Sequence, residues 1–325
     1  MPLIDMPLEK LRSYKGSSPC PKDIDKFWDS SIAEMKAIDP EVELLPSDFQ
    51  APYAECFDMY FTGVGGARVF AKLLRPKPLK KKHPAIVMFH GYSGNSGDWC
   101  DKLPYVAAGF TVAALDCRGQ AGNSEDVGGV IGNTFKGQII RGLDSGPEKM
   151  LFRQIYLDCA QLAGLVMQLP EVDATRVAAM GGSQGGGLTL ACASLEPRIC
   201  RAAPVFPFLC DYKRIWDMDL DINAYAELRE YFRWFDPTHS REDEVFRHRD
   251  LHGILVHGHF HAQDFSAHHR ILRKILRDAP ADHKQPRCGR LHLDAGQFIK
   301  ILHRIDGHVR LGVIDLVKHK AETRR

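Results

Sequence analysis

The chain has 325 residues, 44% hydrophobic and 26% charged, with 43 Lys and Arg against 41 Asp and Glu and a formal charge of +2. That composition describes a globular protein able to bury a sizeable core and excludes a disordered or collagen-like chain. The balanced charge gives no reason to propose nucleic acid or an anionic membrane as a partner: counterion-driven binding needs a concentrated basic face, and Lys80 to Lys82 is too short to make one.

In chain order, the N-terminal MPLIDMPLEKLRSYKG lacks the basic, apolar, small-residue layout of a signal peptide. No later window approaches the ~18 apolar residues of a membrane span, so a cytoplasmic location is expected. Residues 1–50 form an N-terminal extension. In it Ile24, Phe27, Trp28, Ile32 and Met35 recur at helical spacing, which predicts an amphipathic helix packed on the domain of residues 51–325. From Tyr53 to Leu74, alternation around the turn Thr62 to Ala67 (TGVGGA) predicts a β-hairpin that closes at Pro76. Pro84 to His90 and Phe110 to Asp116 are short, nearly continuous apolar runs, the profile of strands buried on both faces of a parallel sheet. Leu103 to Ala108 and Met150 to Leu169 supply connecting helices, and Arg176 to Met180 a third core strand. Strand-helix-strand alternation of this kind predicts an α/β fold with a mostly parallel central sheet, whose ligands bind on the loops at the carboxyl ends of the strands. The nine cysteines are scattered without a C-x-x-C pair, which fits reduced, mostly buried thiols better than disulfides or a zinc site.

The chemistry concentrates at Gly181-Gly182-Ser183-Gln184-Gly185, a G-x-S-x-G motif between a β run and an Ala/Leu-rich helix. In that context the motif is a nucleophile elbow, which lifts a serine hydroxyl above the sheet edge and leaves free helix N–H groups beside it. The Gln184 N–H is then one candidate oxyanion donor. A second should follow an earlier core strand, where His90-Gly91-Tyr92 lies, and the Tyr92 N–H is the candidate. His90 itself reads best as a buried, hydrogen-bonded residue. Arg118, in Arg118-Gly119-Gln120 after the next strand, is either a brace for the loops around the site or an ordinary surface arginine.

These residues reach a family. The Arg118-Gly119-Gln120 tripeptide and the Gly181-Gly182-Ser183-Gln184-Gly185 elbow resemble two of the three markers of the acetyl xylan esterase and cephalosporin C deacetylase family of α/β-hydrolases, the third being a late H-E pair. The resemblance extends through Pro7 to Leu11, Asp25 to Trp28, Gly91-Tyr92 and Pro207 to Cys210, as far as about Phe246. It implies an α/β-hydrolase fold, deacetylation of small acetylated sugars and cephalosporin-type esters without a cofactor or metal, an intracellular enzyme, and a ring-like homohexamer.

Beyond Phe246 the resemblance stops. The sequence contains no H-E pair and no L-M-D-x-x-C-P-P-S-T stretch, which carries the family's triad aspartate. Residues 248–325 hold twelve of the fifteen histidines, a single glutamate (Glu322) and no Trp, Tyr, Asn or Met. His257, His259, His261, His268 and His269 would be the ligands of a metal site, but a change of reading frame is the preferred explanation. Moving one nucleotide forward through the codons of Phe260 to Leu272 permits Phe-Met-x-Lys-Ile-Ser-Pro-Pro-Thr-Thr-x-Phe, which tracks the family stretch. Against it, the codon at the aspartate position cannot encode Asp, and the spacing from Phe246 is short. Taken as written, the tail offers Gly253 to Gly258 as a strand, Asp264 in the following loop, Ser266 to Arg277 as a helix and His308 after Asp306-Gly307. The order Ser183, Asp264, His308 is that of nucleophile, acid and base in α/β-hydrolases. Asp264 read as a helix N-cap and His308 as a solvated loop residue are the alternatives. Three functions therefore compete: a serine carboxylesterase, a catalytically inactive relative without a working base, and a serine peptidase on the same fold.

Overall fold

An amphipathic helix and a hairpin lead the chain into its sheet. The computed structural model describes residues 7–14, 16, 20–78, 81–127, 129–134, 136–209, 211–218 and 222–251. Two helices, α1 (Leu8–Ser13) and α2 (Ile24–Lys36), precede the edge strand β1 (Glu43–Pro46) and the hairpin β2 (Ala54–Thr62) and β3 (Arg68–Pro76). The α/β alternation follows as β4 (His83–Phe89), α3 (Leu103–Ala107), β5 (Thr111–Leu115), α4 (Leu151–Gln168), β6 (Val172–Gly182), α5 (Gln184–Leu195) and β7 (Arg201–Val205). Helices α6 (Tyr212–Asp217), α7 (Ala226–Phe235) and α8 (Glu242–Leu251) close the described region.

The strand order is β1-β2-β3-β5-β4-β6-β7. The hairpin pairs in continuous register from Ala54↔Pro76 to Thr62↔Arg68. Its turn depends on Gly65 and Gly66, both in the left-handed region at φ +76° and +78°, where a Cβ is strained. Strand β3 meets β5 antiparallel, whereas β5, β4, β6 and β7 run parallel to one another. After β4 the chain crosses first to β5 and then back to β6 on the other side. That reversal is a topological switch point, and ligands of open α/β sheets bind beside the carboxyl ends of the strands there, here β4, β5 and β6.

Alternation within the strands splits the core into two layers. On β3, Val69, Ala71 and Leu73 face a large cluster shared with α4 and α5, while Leu74 joins Ala54, Cys56, Val106 and Val112 in a smaller one that includes Leu103 and Tyr105 of α3. Helix α4 is buried almost throughout, because α2 covers its outer side. Trp28 lies 6.1 Å from the Tyr156 ring, and Arg153 donates to Ser31 Oγ at 3.0 Å and to Glu34 at 2.5 Å.

Each expected element through α5 is present within a few residues of its anticipated bounds. Strand β1, inside the N-terminal extension, and β7, whose short RAAPV run holds a proline, were not anticipated. Of the seven described cysteines all are free and four are buried. No helix among the described residues is long and apolar enough to cross a membrane. The tail elements, with Asp264 and His308, lie outside the described residues.

Candidate active site

Ser183 sits between the last residue of β6 and the first of α5, at φ +56° and ψ −119°. A non-glycine residue in that conformation is strained and persists only when its surroundings over-determine it. Four backbone hydrogen bonds do so. Ser183 N–H donates to Val205 O at 2.9 Å, and Ser183 O accepts from Gly186, Gly187 and Phe208 at 2.9, 3.2 and 3.0 Å. The turn closes only because the flanking glycines let backbones meet: a Cβ on Gly181 would stand 2.5 Å from Gly185 O, and one on Gly185 2.0 Å from Phe89 O. On Gly182 the nearest atom would be 3.9 Å away, so the spacing G-x-S-x-G is the steric requirement itself. Ser183 is exposed at the rim while Gln184, directly beneath, is fully buried. Gln184 is the first residue of α5, and its N–H belongs to the first turn, which has no intrahelical acceptor.

The other expected residues converge on the same rim. Phe89 pairs with Gly181 across β4 and β6 and with Leu115 across β4 and β5, so the three loops that follow are neighbours. Gln120 and Gln184 exchange amide hydrogen bonds at 2.9 and 3.1 Å, both fully buried, and Gln184 Nε2 also reaches His90 O at 3.4 Å. The R-G-Q tripeptide and the elbow glutamine are thus two ends of one contact. Gly119, at φ +69°, makes the bend between Arg118 and Gln120.

Arg118 is a brace, not a surface residue. It is fully buried, donates through Nε and Nη2 to both Asp158 oxygens at 2.7 and 2.5 Å, and through Nη1 to Val64 O at 2.8 Å. It ties the hairpin turn to α4 behind the site. Burial pushes the Asp158 carboxyl up, and the Arg118 charge and hydrogen bonds act against that rise.

His90 is hydrogen-bonded as expected, though only half-buried. Its Nδ1 donates to Gly91 O at 2.7 Å and its Nε2 accepts from Cys117 N–H at 3.0 Å, which fixes a neutral tautomer. Burial lowers its pKa from the ordinary value, and the ring links the β4 and β5 loops. Gly91 is exposed, and its carbonyl also accepts from Gly94 N–H at 3.1 Å.

Tyr92 is more deeply set than an exposed turn residue. Its ring stacks on Phe152 at 6.5 Å and meets the edge of Phe208 at 5.6 Å, and its hydroxyl donates to Glu227 Oε1. Burial and that carboxylate raise the phenol pKa strongly, so it remains a donor. Phe208 belongs to the Pro207 to Cys210 motif, of which residues 207–209 pack against the first turn of α5. A Cβ on Gly187 would lie 2.3 Å from Phe208 O, which accounts for the extra glycines after the elbow.

Asp158, Phe208 and Glu227 are the site residues that sequence reasoning missed. The doubled glycines Gly186-Gly187 were a signal for the first-turn contact; nothing local marks Asp158 or Glu227. Asp264 and His308, the expected acid and base, lie outside the described residues.

Comparison with known proteins follows the same residues. The family model for acetyl xylan esterase (AXE1) matches residues 1–254. The solved structure of acetyl xylan esterase 1 from Thermoanaerobacterium sp. JW/SL YS485 is 61% identical, with a TM-score of 0.73, over 76% of this chain and 78% of that one. An acetyl xylan esterase from Paenibacillus sp. R4 is 33% identical, with a TM-score of 0.71, over 77% and 80% of the two chains. Among characterised sequences, acetyl esterase Axe7A of Xylanibacter ruminicola is 26% identical over 221 residues, which are 62% of this chain. The matched region spans less than half, 46%, of that relative's length.

Proposed function

This chain belongs to the acetyl xylan esterase family, of α/β-hydrolase fold, and from that premise we propose that it is a serine carboxylesterase acting through an acyl-enzyme on Ser183. The substrates proposed are small acetylated sugars, acetylated xylo-oligosaccharides foremost, and cephalosporin C-type acetyl esters. The observation that carries the reading is the Ser183 conformation: a strained, exposed hydroxyl at a strand-to-helix turn, held by four backbone bonds.

In this mechanism a histidine takes the Ser183 proton as Oγ attacks the acetyl carbonyl. The N–H groups of Gln184 and Tyr92 receive the oxyanion, and the sugar alcohol leaves with the proton. Water, deprotonated by the same histidine, then releases acetate and restores the serine. His308 is proposed as that base and Asp264 as the acid that orients it, on chain order alone. No step calls on a cofactor. A cytoplasmic location is proposed on the free thiols, and a homohexamer on the family resemblance. Ser183→Ala is the test: hydrolysis of p-nitrophenyl acetate and acetylated xylobiose should fall by about four orders of magnitude or more, and undiminished turnover would remove the assignment.

The missing H-E pair favours a second reading, an inactive relative that keeps the elbow without a working base. Fluorophosphonate labelling separates the two, because the reaction needs an activated hydroxyl. Rapid, Ser183-dependent labelling supports the esterase; an inert Ser183 supports the second reading.

A further inference from the structure

We infer that Glu227 is a positioning residue for the oxyanion loop: by accepting from Tyr92 Oη and Ile139 N–H together, it fixes the direction of the Tyr92 backbone N–H. The inference rests on the proposed role of that N–H in the esterase reaction.

One backbone bond, Gly94 N–H to Gly91 O at 3.1 Å, closes the loop after β4. Gly91 and Gly94 flank Tyr92 and Ser93, and Ser93 itself sits at φ +58°, a conformation that a serine keeps only under outside restraint. The restraint comes from far along the chain. Glu227, on the first turn of α7 and only 6% exposed, receives the Tyr92 hydroxyl on Oε1 at 2.5 Å and Ile139 N–H on Oε2 at 2.7 Å. The neighbouring Gln138, fully buried, donates from Nε2 to Ser93 Oγ at 3.0 Å. Tyr92, Glu227, Ile139, Gln138 and Ser93 therefore close a ring of side-chain and backbone bonds around the loop.

The chemistry of the ring explains the residue type. An O–H and an N–H both point at position 227, and the two oxygens of a carboxylate supply an acceptor to each. With the hydroxyl anchored there and the ring packed between Phe152 and Phe208, the Tyr92 side chain is fixed at both ends. Its Cα has little freedom left, and the N–H is preorganised. A donor so fixed acts when charge develops on the carbonyl oxygen, so loosening it lowers kcat more than it weakens substrate binding.

Steady-state hydrolysis of p-nitrophenyl acetate by the full chain tests this, with Tyr92→Phe, Glu227→Leu, Glu227→Gln and the Tyr92→Phe/Glu227→Leu pair. Tyr92→Phe removes one oxygen, so it stays informative if Glu227→Leu folds poorly. The expected result is a fall in kcat of about tenfold to a hundredfold for Tyr92→Phe and Glu227→Leu, with KM moved by less than about threefold. The double variant should be no slower than the slower single one, and Glu227→Gln, which keeps one acceptor, should recover part of the loss. A native kcat in Tyr92→Phe, multiplicative losses, or an effect confined to KM would overturn the inference. Amide hydrogen exchange reads the tether without turnover: Glu227→Leu should speed exchange at residues 91–93 and 138–139 together, and unchanged exchange there also overturns it. Failure of the esterase reading looks different, since Ser183→Ala would then match the native chain while the exchange result stood.

Discussion

The two sides of the site are held by different means. On the elbow side, Ser183 is fixed by backbone: carbonyls of Phe89, Val205 and Phe208 lie where side chains on Gly185, Gly186 and Gly187 would have to go. On the loop side, Arg118, Gln120, His90 and Tyr92 are fixed by side-chain bonds to Asp158, Gln184, Cys117 and Glu227. The difference teaches what each side tolerates. Backbone contact makes tolerance all or none, since a Cβ either fits or displaces a strand, whereas a hydrogen bond weakens by degrees with its partner.

Substitution can break that comparison at its strongest points first. Arg118→Met leaves the Asp158 carboxylate buried and unpaired, so thermal or urea unfolding should register a loss of about 3–5 kcal/mol. Gly185→Ala should cost about 3 kcal/mol or displace the elbow outright, because the added carbon would meet Phe89 O at 2.0 Å. Gly182→Ala, with 3.9 Å of room, should stay within about 0.5 kcal/mol of the native protein. Equal losses at 182 and 185 would show that the elbow is not set by backbone contact.

Two smaller effects sharpen the loop side. Gln120→Ala orphans the buried Gln184 amide and should cost about 1–3 kcal/mol, less if water fills the space. His90 gives a pH signature. Its folded pKa is lowered by burial from the ordinary 6.5, so the unfolded chain binds the proton more readily. Stability from this group is complete above pH 6.5 and declines as pH falls below it. His90→Gln should remove that share of the acid-side slope in unfolding experiments at pH 5 to 7, and an identical slope would place the pH dependence elsewhere.

What was legible in the sequence follows the same division. The G-x-S-x-G spacing, the TGVGGA turn and the apolar runs of β4, β5 and β6 are local consequences of sterics and burial, and they lie at the expected positions. The R-G-Q tripeptide was visible as a pattern but not as a mechanism. Its glutamine answers Gln184, 64 residues away, and its arginine answers Asp158. Glu227 sits 135 residues from Tyr92, and no short-range rule connects them. Strand β7 escaped because its proline and five-residue length hide a strand whose pairing is with β6. The proposed acid and base, Asp264 and His308, rest on chain order, where family pattern and sequence part company.

The most direct test of the central claim is to mix the intact chain with p-nitrophenyl acetate, quench in acid within the first turnovers, and map the peptide that carries Ser183 by mass spectrometry. The account predicts a burst of nitrophenol and one acetyl group on Ser183, absent in Ser183→Ala. Turnover with the acetyl group on another residue, or a Ser183 that never acquires one, would contradict it.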